Sequence, residues 1–171
     1  MALATTATQV NEEPAAAVAT EPSAASRLLC RSSQQNYAIP LDRVAEIMRV
    51  LAVESVAGAP SYVRGLSIIR GAPVPVVDVG QLIGNHETQS GRLVVVKAGD
   101  RTVALQVGAV LGVRRLDAGH LSELPPLFRH VASDTVDAIG AVDEELLFAL
   151  RTTQLVPDTV FAAIDHSGAQ S

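Results

Sequence analysis

Cysteine and aromatic residues are scarce in this chain of 171 residues. It has one cysteine, Cys30, and no tryptophan, and aromatic residues make up 3% of it. A single cysteine excludes a framework of intramolecular disulfides. Hydrophobic residues nevertheless make up 48%, which is enough for a sizeable core. Because that core must be built from Val, Leu, Ile and Ala, the composition favours a β architecture over a helical bundle.

Positive charge and long apolar runs are also missing. The formal net charge is −5, which argues against a nucleic-acid surface, because such a surface needs a basic footprint. No apolar run approaches the roughly 20 residues of a membrane-spanning helix. The N-terminus lacks the basic start and continuous apolar stretch of a secretory signal. We therefore expect a cytoplasmic protein that binds no nucleic acid and does not insert into a membrane.

The first 25 residues contain no Lys or Arg at all. They hold nine alanines and three glutamates, and Pro14 and Pro22 interrupt any helix that the alanines favour. This composition predicts an acidic tail without fixed structure over residues 1–25. The rest of the chain predicts one folded domain over residues 26–165 and a frayed C-terminus over residues 166–171.

Short apolar runs rich in β-branched residues recur through the folded part, and such runs are typical of strands. The central stretch, residues 62–84, has the sequence YVRGLSIIRGAPVPVVDVGQLIG. It contains two of these runs, 66–69 and 74–79. Gly71 between them can take a positive φ and Pro73 cannot donate to a sheet, so the stretch predicts two strands joined by a tight turn.

Helices are predicted at three places only. Apolar residues recur at helical spacing over residues 41–48. Asp78 is predicted to cap a single turn at residues 81–83. Residues 152–164 predict a short helix, a proline break and a closing helix that starts at Asp158. With nine or ten short strands, the whole is typical of a barrel or sandwich.

Side chains suited to catalysis or metal binding are few. No two histidines share a metal-ligand spacing and none pairs with Cys30, which lies in an apolar run and is expected to be a small buried hydrophobe. The acidic residues 143–145 fall at a predicted turn, where solvated charges are usual. The sequence therefore predicts no catalytic residue, no metal site and no cofactor. The histidines are His86, His120, His130 and His166.

Arg70 is the residue whose role composition and spacing do not decide. An arginine at a turn between two strands is commonly exposed without further role. It is also a planar, permanently charged donor beside apolar strands, which suits an anchor for a protein partner.

The order of these segments resembles the CheW family, the adaptors of bacterial chemotaxis arrays. The strongest piece is the G-x-x-x-x-R-G-x-x-x-P-V-V-D run from Gly65 to Asp78, supported by V-x-E-I from Val44 to Ile47. The resemblance extends over about residues 27–164. It departs from the usual family pattern at Ile68, where members commonly have Asn.

The resemblance implies a mainly β fold: two small SH3-like five-stranded β-barrels that share a core, with short helices including a C-terminal one. It implies no catalysis and no cofactor. Members bridge the helical cytoplasmic tips of methyl-accepting chemoreceptors to the regulatory domain of the histidine kinase CheA. By position, the family residues implicated in these contacts correspond to Val44, Glu46, Gly65, Arg70 and Val94.

Two alternatives remain open at this point. The same fold could bind only the kinase or only the receptor, as a modulator in a twitching or surface-sensing type of pathway. The chain could also be a small β-barrel enzyme whose site combines Arg70 with Asp78 and a loop histidine.

Overall fold

The computed structural model describes residues 25–84, 86–89, 91–117, 119–127, 135–152 and 155–169. These residues include eleven strands, one C-terminal helix α1 (Asp158–Ala169) and two short helical turns, Leu41–Arg43 and Gly80–Gly84. The predicted tail stays a prediction, because residues 1–24 lie outside the described part. The strands are β1 (Ala25–Ser32), β2 (Gln35–Pro40), β3 (Val44–Arg49), β4 (Val63–Ile69), β5 (Ala72–Asp78), β6 (Arg92–Ala98), β7 (Arg101–Val107), β8 (Ala109–Leu116), β9 (Leu121–Glu123), β10 (Val136–Val142) and β11 (Glu145–Leu150).

The strands form two sheets, which confirms the predicted mainly β fold. The second sheet has the order β3-β6-β7-β5-β4 and is built from consecutive strands of the chain. The first sheet has the order β8-β1-β2-β11-β10-β9, so the chain starts it, leaves to build the second sheet, and returns. It has six strands rather than the five expected, because the short strand β9 pairs with β10.

The two sheets share one hydrophobic core. Apolar side chains of the first sheet and of the second sheet pack in a single cluster with residues of helix α1. Alternate residues of a strand point to opposite faces, so each sheet also has a smaller cluster of its own on its other face. This arrangement fixes the second sheet and helix α1 relative to each other. Members of the shared core include Cys30, Tyr37, Phe148, Val77, Leu105 and Val160.

The helix predicted over residues 41–48 is wrong. Only Leu41–Arg43 is helical, as a short 3-10 turn, and Val44–Arg49 is strand β3. The apolar residues of this stretch recur every three positions but also include β-branched Val44 and Ile47, which suit a strand. Pairing with β6 decides between the two, because Ile47 lies opposite Val94 in an antiparallel ladder.

The closing helix starts at Asp158 as predicted, and Asp158 is in its first turn. It continues to Ala169, beyond Ile164, where the sequence pattern ended it. The short helix predicted just before Pro157 is not found at residues 155–156, which form a bend. Residues 153–154, where the rest of that prediction falls, lie outside the described residues.

Candidate protein-binding site

The turn between β4 and β5 is a two-residue loop made by Arg70 and Gly71. Ile69 pairs with Ala72 across it, and φ is positive at both loop residues, 51° for Arg70 and 81° for Gly71. Tight hairpin turns of this length need positive φ because it matches the twist of the flanking strands. The predicted turn is therefore confirmed, and it places the Arg70 side chain in solvent, with 79% of it exposed.

Arg70 is held by Glu46 from strand β3. Its Nε and Nη2 atoms donate one hydrogen bond each to the two carboxylate oxygens of Glu46, both at 2.8 Å. A fork-to-fork pair of this kind fixes the plane of both groups. Sequence analysis named both residues but did not predict that they touch.

The ion pair shifts the titration of both groups. The hydrogen bonds from Arg70 lower the pKa of the Glu46 carboxyl below its ordinary value. The same contact raises the pKa of the Arg70 guanidinium. Each charge stabilises the charged form of its neighbour, so both groups are ionised at neutral pH.

The pair lies on an open groove lined jointly by the second sheet and helix α1. The groove has a volume of about 510 Å³. Its apolar lining includes Ile69, Val74 and Val95 from the sheet and Phe161 and Ile164 from the helix. Charged side chains complete the lining: Glu46, Arg70, Lys97, Arg101 and Asp165.

The other predicted site residues lie elsewhere. Val94 is completely buried in the shared core, and Val44 is half-buried against it. Gly65 has a φ of 142°, and a Cβ atom there would overlap the carbonyl oxygen of Glu54. Of the five, the structure brings together Glu46 and Arg70, whereas Val44, Gly65 and Val94 support the backbone around them.

Helix α1 contributes groove residues that sequence analysis missed. The Arg101 guanidinium lies 4.3 Å from the centre of the Phe161 ring and 3.4 Å from the carboxylate of Asp158. A cation over an aromatic face is attracted to it. One signal in the sequence could have drawn attention to Phe161, because it is one of only three Phe residues in the chain. Its place beside the second sheet follows from tertiary packing.

Asp78 has a structural environment rather than a catalytic one. Its fully buried carboxylate accepts hydrogen bonds from the backbone N–H groups of Gly80 and Gln81, which confirms the predicted cap. It also accepts the N–H and hydroxyl groups of Thr88. Arg64 donates to it from Nε and Nη2 at 3.2 and 3.1 Å. These donors satisfy a buried charge that would otherwise be costly.

A second cleft, of about 240 Å³, lies on the first sheet. Leu111, Val113 and Arg114 line one part of it, and Asp143 and Glu145 line another. Leu111 and Val113 are exposed apolar residues. The charged residues of this cleft are paired internally, Arg114 with Asp143 and Arg31 with Glu145.

Neither a metal-binding cluster nor a membrane-spanning helix is found in the described part of the chain. Within it, no group of three or more His, Cys, Asp and Glu side chains is placed to hold a metal ion. No helix in the same residues has the length and apolar character needed to cross a membrane.

Comparison with known proteins supports the resemblance seen in the sequence. The chemotaxis protein CheW of Klebsiella aerogenes is 24% identical over 142 residues, which cover 81% of this chain and 86% of that protein. Protein FrzA of Myxococcus xanthus is 29% identical over 91 residues, 52% of this chain and 56% of that protein.

Among solved structures, the scaffolding protein TtCheW from Thermoanaerobacter tengcongensis has the same fold. The TM-score is 0.68 at 19% identity, and the match covers 80% of this chain and 90% of that one. The family model for the CheW-like domain matches residues 26–160. The chain therefore belongs to the family of proteins with a CheW-like domain.

Proposed function

We propose that this protein is a non-catalytic adaptor that couples the helical cytoplasmic tips of methyl-accepting chemoreceptors to the regulatory domain of a CheA-type histidine kinase. It would act in the cytoplasm, at membrane-bound receptor arrays. Membership of the CheW-like family supports this proposal, as do relatives named as a chemotaxis protein and as a scaffolding protein. The absence of catalysis is part of the proposal and rests on the family.

The observation that carries the proposal is the open apolar groove with the Glu46–Arg70 pair on it. Amphipathic helices bind proteins by placing their apolar face in a groove of this kind. Arginine is enriched among residues that dominate binding energy at interfaces. Because Glu46 holds the Arg70 guanidinium in one orientation, little side-chain entropy is lost when a partner binds it.

Val44, Gly65 and Val94 belong to the proposed site through the backbone they support. Val44 begins strand β3, which carries Glu46. Val94 fixes β3 from the neighbouring strand β6, since it pairs with Ile47. Gly65 lets strand β4 approach Glu54 closely, and β4 leads directly into Arg70.

An adaptor that bridges two proteins needs two separate surfaces. The groove lies on the second sheet, whereas the cleft with exposed Leu111 and Val113 lies on the first. Surfaces on different sheets allow two partners to bind without overlap. This arrangement supports bridging over the binding of a single partner.

One observation favours the alternative of a modulator that binds only kinase or only receptor, in a twitching or surface-sensing type of pathway. Ile68 precedes Arg70 and is 65% exposed, at the position where family members commonly have a polar Asn. An exposed apolar residue beside the proposed anchor suits a partner surface that differs from the usual one.

Binding of each partner separately decides between these functions. The purified regulatory domain of a CheA-type kinase and a chemoreceptor cytoplasmic fragment are titrated separately into the protein by calorimetry. The adaptor requires that both bind, and binding of only one supports the modulator. If neither binds, the proposed function is wrong.

A further inference from the structure

Three of the five charged side chains on the groove are already neutralised within the protein. Arg70 is paired with Glu46 through two hydrogen bonds of 2.8 Å. Arg101 lies 3.4 Å from the carboxylate of Asp158 and stacks on the Phe161 ring. A charge that is already paired has less to gain from a partner's opposite charge. The selection of a partner by charge must therefore depend on the remaining two.

Lys97 and Asp165 are these two. Both are exposed, Lys97 on strand β6 and Asp165 on helix α1. The Lys97 ammonium has a 3.5 Å contact with the Thr102 hydroxyl, which is at the outer limit of a hydrogen bond. The Asp165 carboxylate makes no ion pair or hydrogen bond with any residue in the described ranges. The groove thus presents one available cation and one available anion, from different elements of its lining.

We propose that Lys97 and Asp165 determine which segment the groove accepts, by pairing with an acidic and a basic side chain that flank the apolar stripe of an amphipathic helix. The apolar stripe would contact the exposed side chains of Ala45 and Pro73 and the half-buried Phe161. This inference rests on the proposed function in one respect, since the helix would belong to the helical tip of the receptor. It adds the charge pattern that the bound segment must carry.

Three synthetic helical peptides test the proposal without the natural partner. All have the same leucine stripe; the first has Glu on one flank and Lys on the other, the second has Glu on both, and the third has Lys on both. Binding to the full chain is measured by fluorescence anisotropy. The mixed peptide is expected to bind about fivefold more tightly than either of the others. Each of the other two peptides replaces one exposed pair of opposite charges by a contact between like charges.

Two reversals of charge in the groove change the expected order. Lys97→Glu makes both unpaired charges of the groove acidic, so the peptide with Lys on both flanks should bind best. Asp165→Lys makes both unpaired charges of the groove basic, so the peptide with Glu on both flanks should bind best. The double variant should again prefer the mixed peptide, bound in the opposite direction.

Matched controls separate this local effect from net charge. Arg92→Glu changes an exposed residue at the other end of β6, and Glu144→Lys changes an exposed turn residue of the first sheet. Neither lines the groove, so the peptide order of the unmodified chain should persist. The proposal is overturned if no peptide binds, or if the two groove variants keep the original order.

Failure of this inference and failure of the proposed function give different experimental results. Failure of the kinase and receptor fragments to bind, together with the expected peptide order, rejects the adaptor role and keeps the charge selection. Binding of both fragments without any peptide preference keeps the adaptor role and rejects the charge selection.

Discussion

Arg70 and Glu46 join the two opposite edges of the second sheet. Glu46 is on β3, one edge strand, and Arg70 directly follows β4, the other. Three strands lie between them in the sheet, yet their side chains share two hydrogen bonds of 2.8 Å. The sheet must therefore curl strongly, as the right-handed twist of strands allows. This curl brings two residues that are far apart in the sheet to one edge of the groove.

The pKa of Glu46 should depend on Arg70. Because Arg70 lowers this pKa, the ion pair is fully formed above the ordinary carboxyl pKa and is lost as pH falls through the lowered value. Arg70→Gln should raise the pKa of Glu46 back towards its ordinary value. NMR titration of the Glu46 side-chain carboxyl carbon measures the shift. An unchanged pKa in Arg70→Gln would mean that the pair does not form in solution.

Loss of the buried carboxylate of Asp78 should destabilise the fold severely. Asp78→Ala leaves the N–H groups of Gln81 and Thr88 without their acceptor and removes the buried partner of Arg64. Breaking a buried ion pair costs about 3 to 5 kcal/mol. Urea denaturation of the variant measures the change in the free energy of unfolding.

Asp143→Ala is the matched control for that variant. Asp143 pairs with Arg114 at 2.8 Å, a shorter distance than the 3.1 Å between Arg64 and Asp78, but its side chain is 72% exposed. Exposed pairs contribute less than about 1 kcal/mol, so stability should hardly change. Equal losses in the two variants would show that burial does not decide the strength of these pairs.

Gly65 should tolerate no larger residue. Its φ is 142°, and a Cβ atom would overlap the carbonyl oxygen of Glu54, which accepts the Leu66 N–H at 2.7 Å. Gly65→Ala should therefore cost about 3 kcal/mol or more, the range of severe core substitutions. Gly99→Ala is the control, because Gly99 also has positive φ, 70°, but nothing within 4 Å; it should cost about 1 kcal/mol. Chemical denaturation of both variants compares them, and a smaller loss for Gly65→Ala would remove the clash as a cause.

Cys30 should not react while the protein is folded. Its side chain is completely buried, and burial raises the pKa of the thiol to about 12. The thiolate is the reactive form, so Ellman's reagent at pH 8 should label the native protein only as fast as it unfolds. The double variant Cys30→Ser, Ser61→Cys carries its one thiol at an exposed position, so it should be labelled at once. Equally fast labelling of native Cys30 would contradict the described core.

Local signals were enough to predict the hairpin that carries Arg70. Gly71 supplies the turn, and β-branched residues flank it on both sides, so the pattern needs no distant partner. The cap at Asp78 was predictable for the same reason. Strand β3 was not, because its apolar residues fit two periodicities and only pairing with β6 decides between them.

The groove was beyond the reach of sequence reasoning. Its lining combines residues of the second sheet with Phe161, Ile164 and Asp165 from helix α1, which come together through the shared core. Sequence analysis named Glu46 from a family resemblance, and Arg70 from its place at the turn as well as from that resemblance. The contact between them depends on the curl of the sheet. The sequence could not show that Val94 is buried, because an apolar strand residue can face either side.

Co-capture of two partners tests the adaptor role most directly. A receptor cytoplasmic fragment is immobilised, and the regulatory domain of the kinase is added with or without this protein. The kinase domain should be retained only when the protein is present. Arg70→Glu should reduce retention of the kinase domain about tenfold or more, as loss of a dominant interface residue does. The control variant Arg92→Glu should leave retention unchanged. Both variants should melt within about 2 °C of the unmodified protein, because exposed substitutions change stability little. Failure of the unmodified protein to retain the kinase domain, or full retention by Arg70→Glu, would contradict the account.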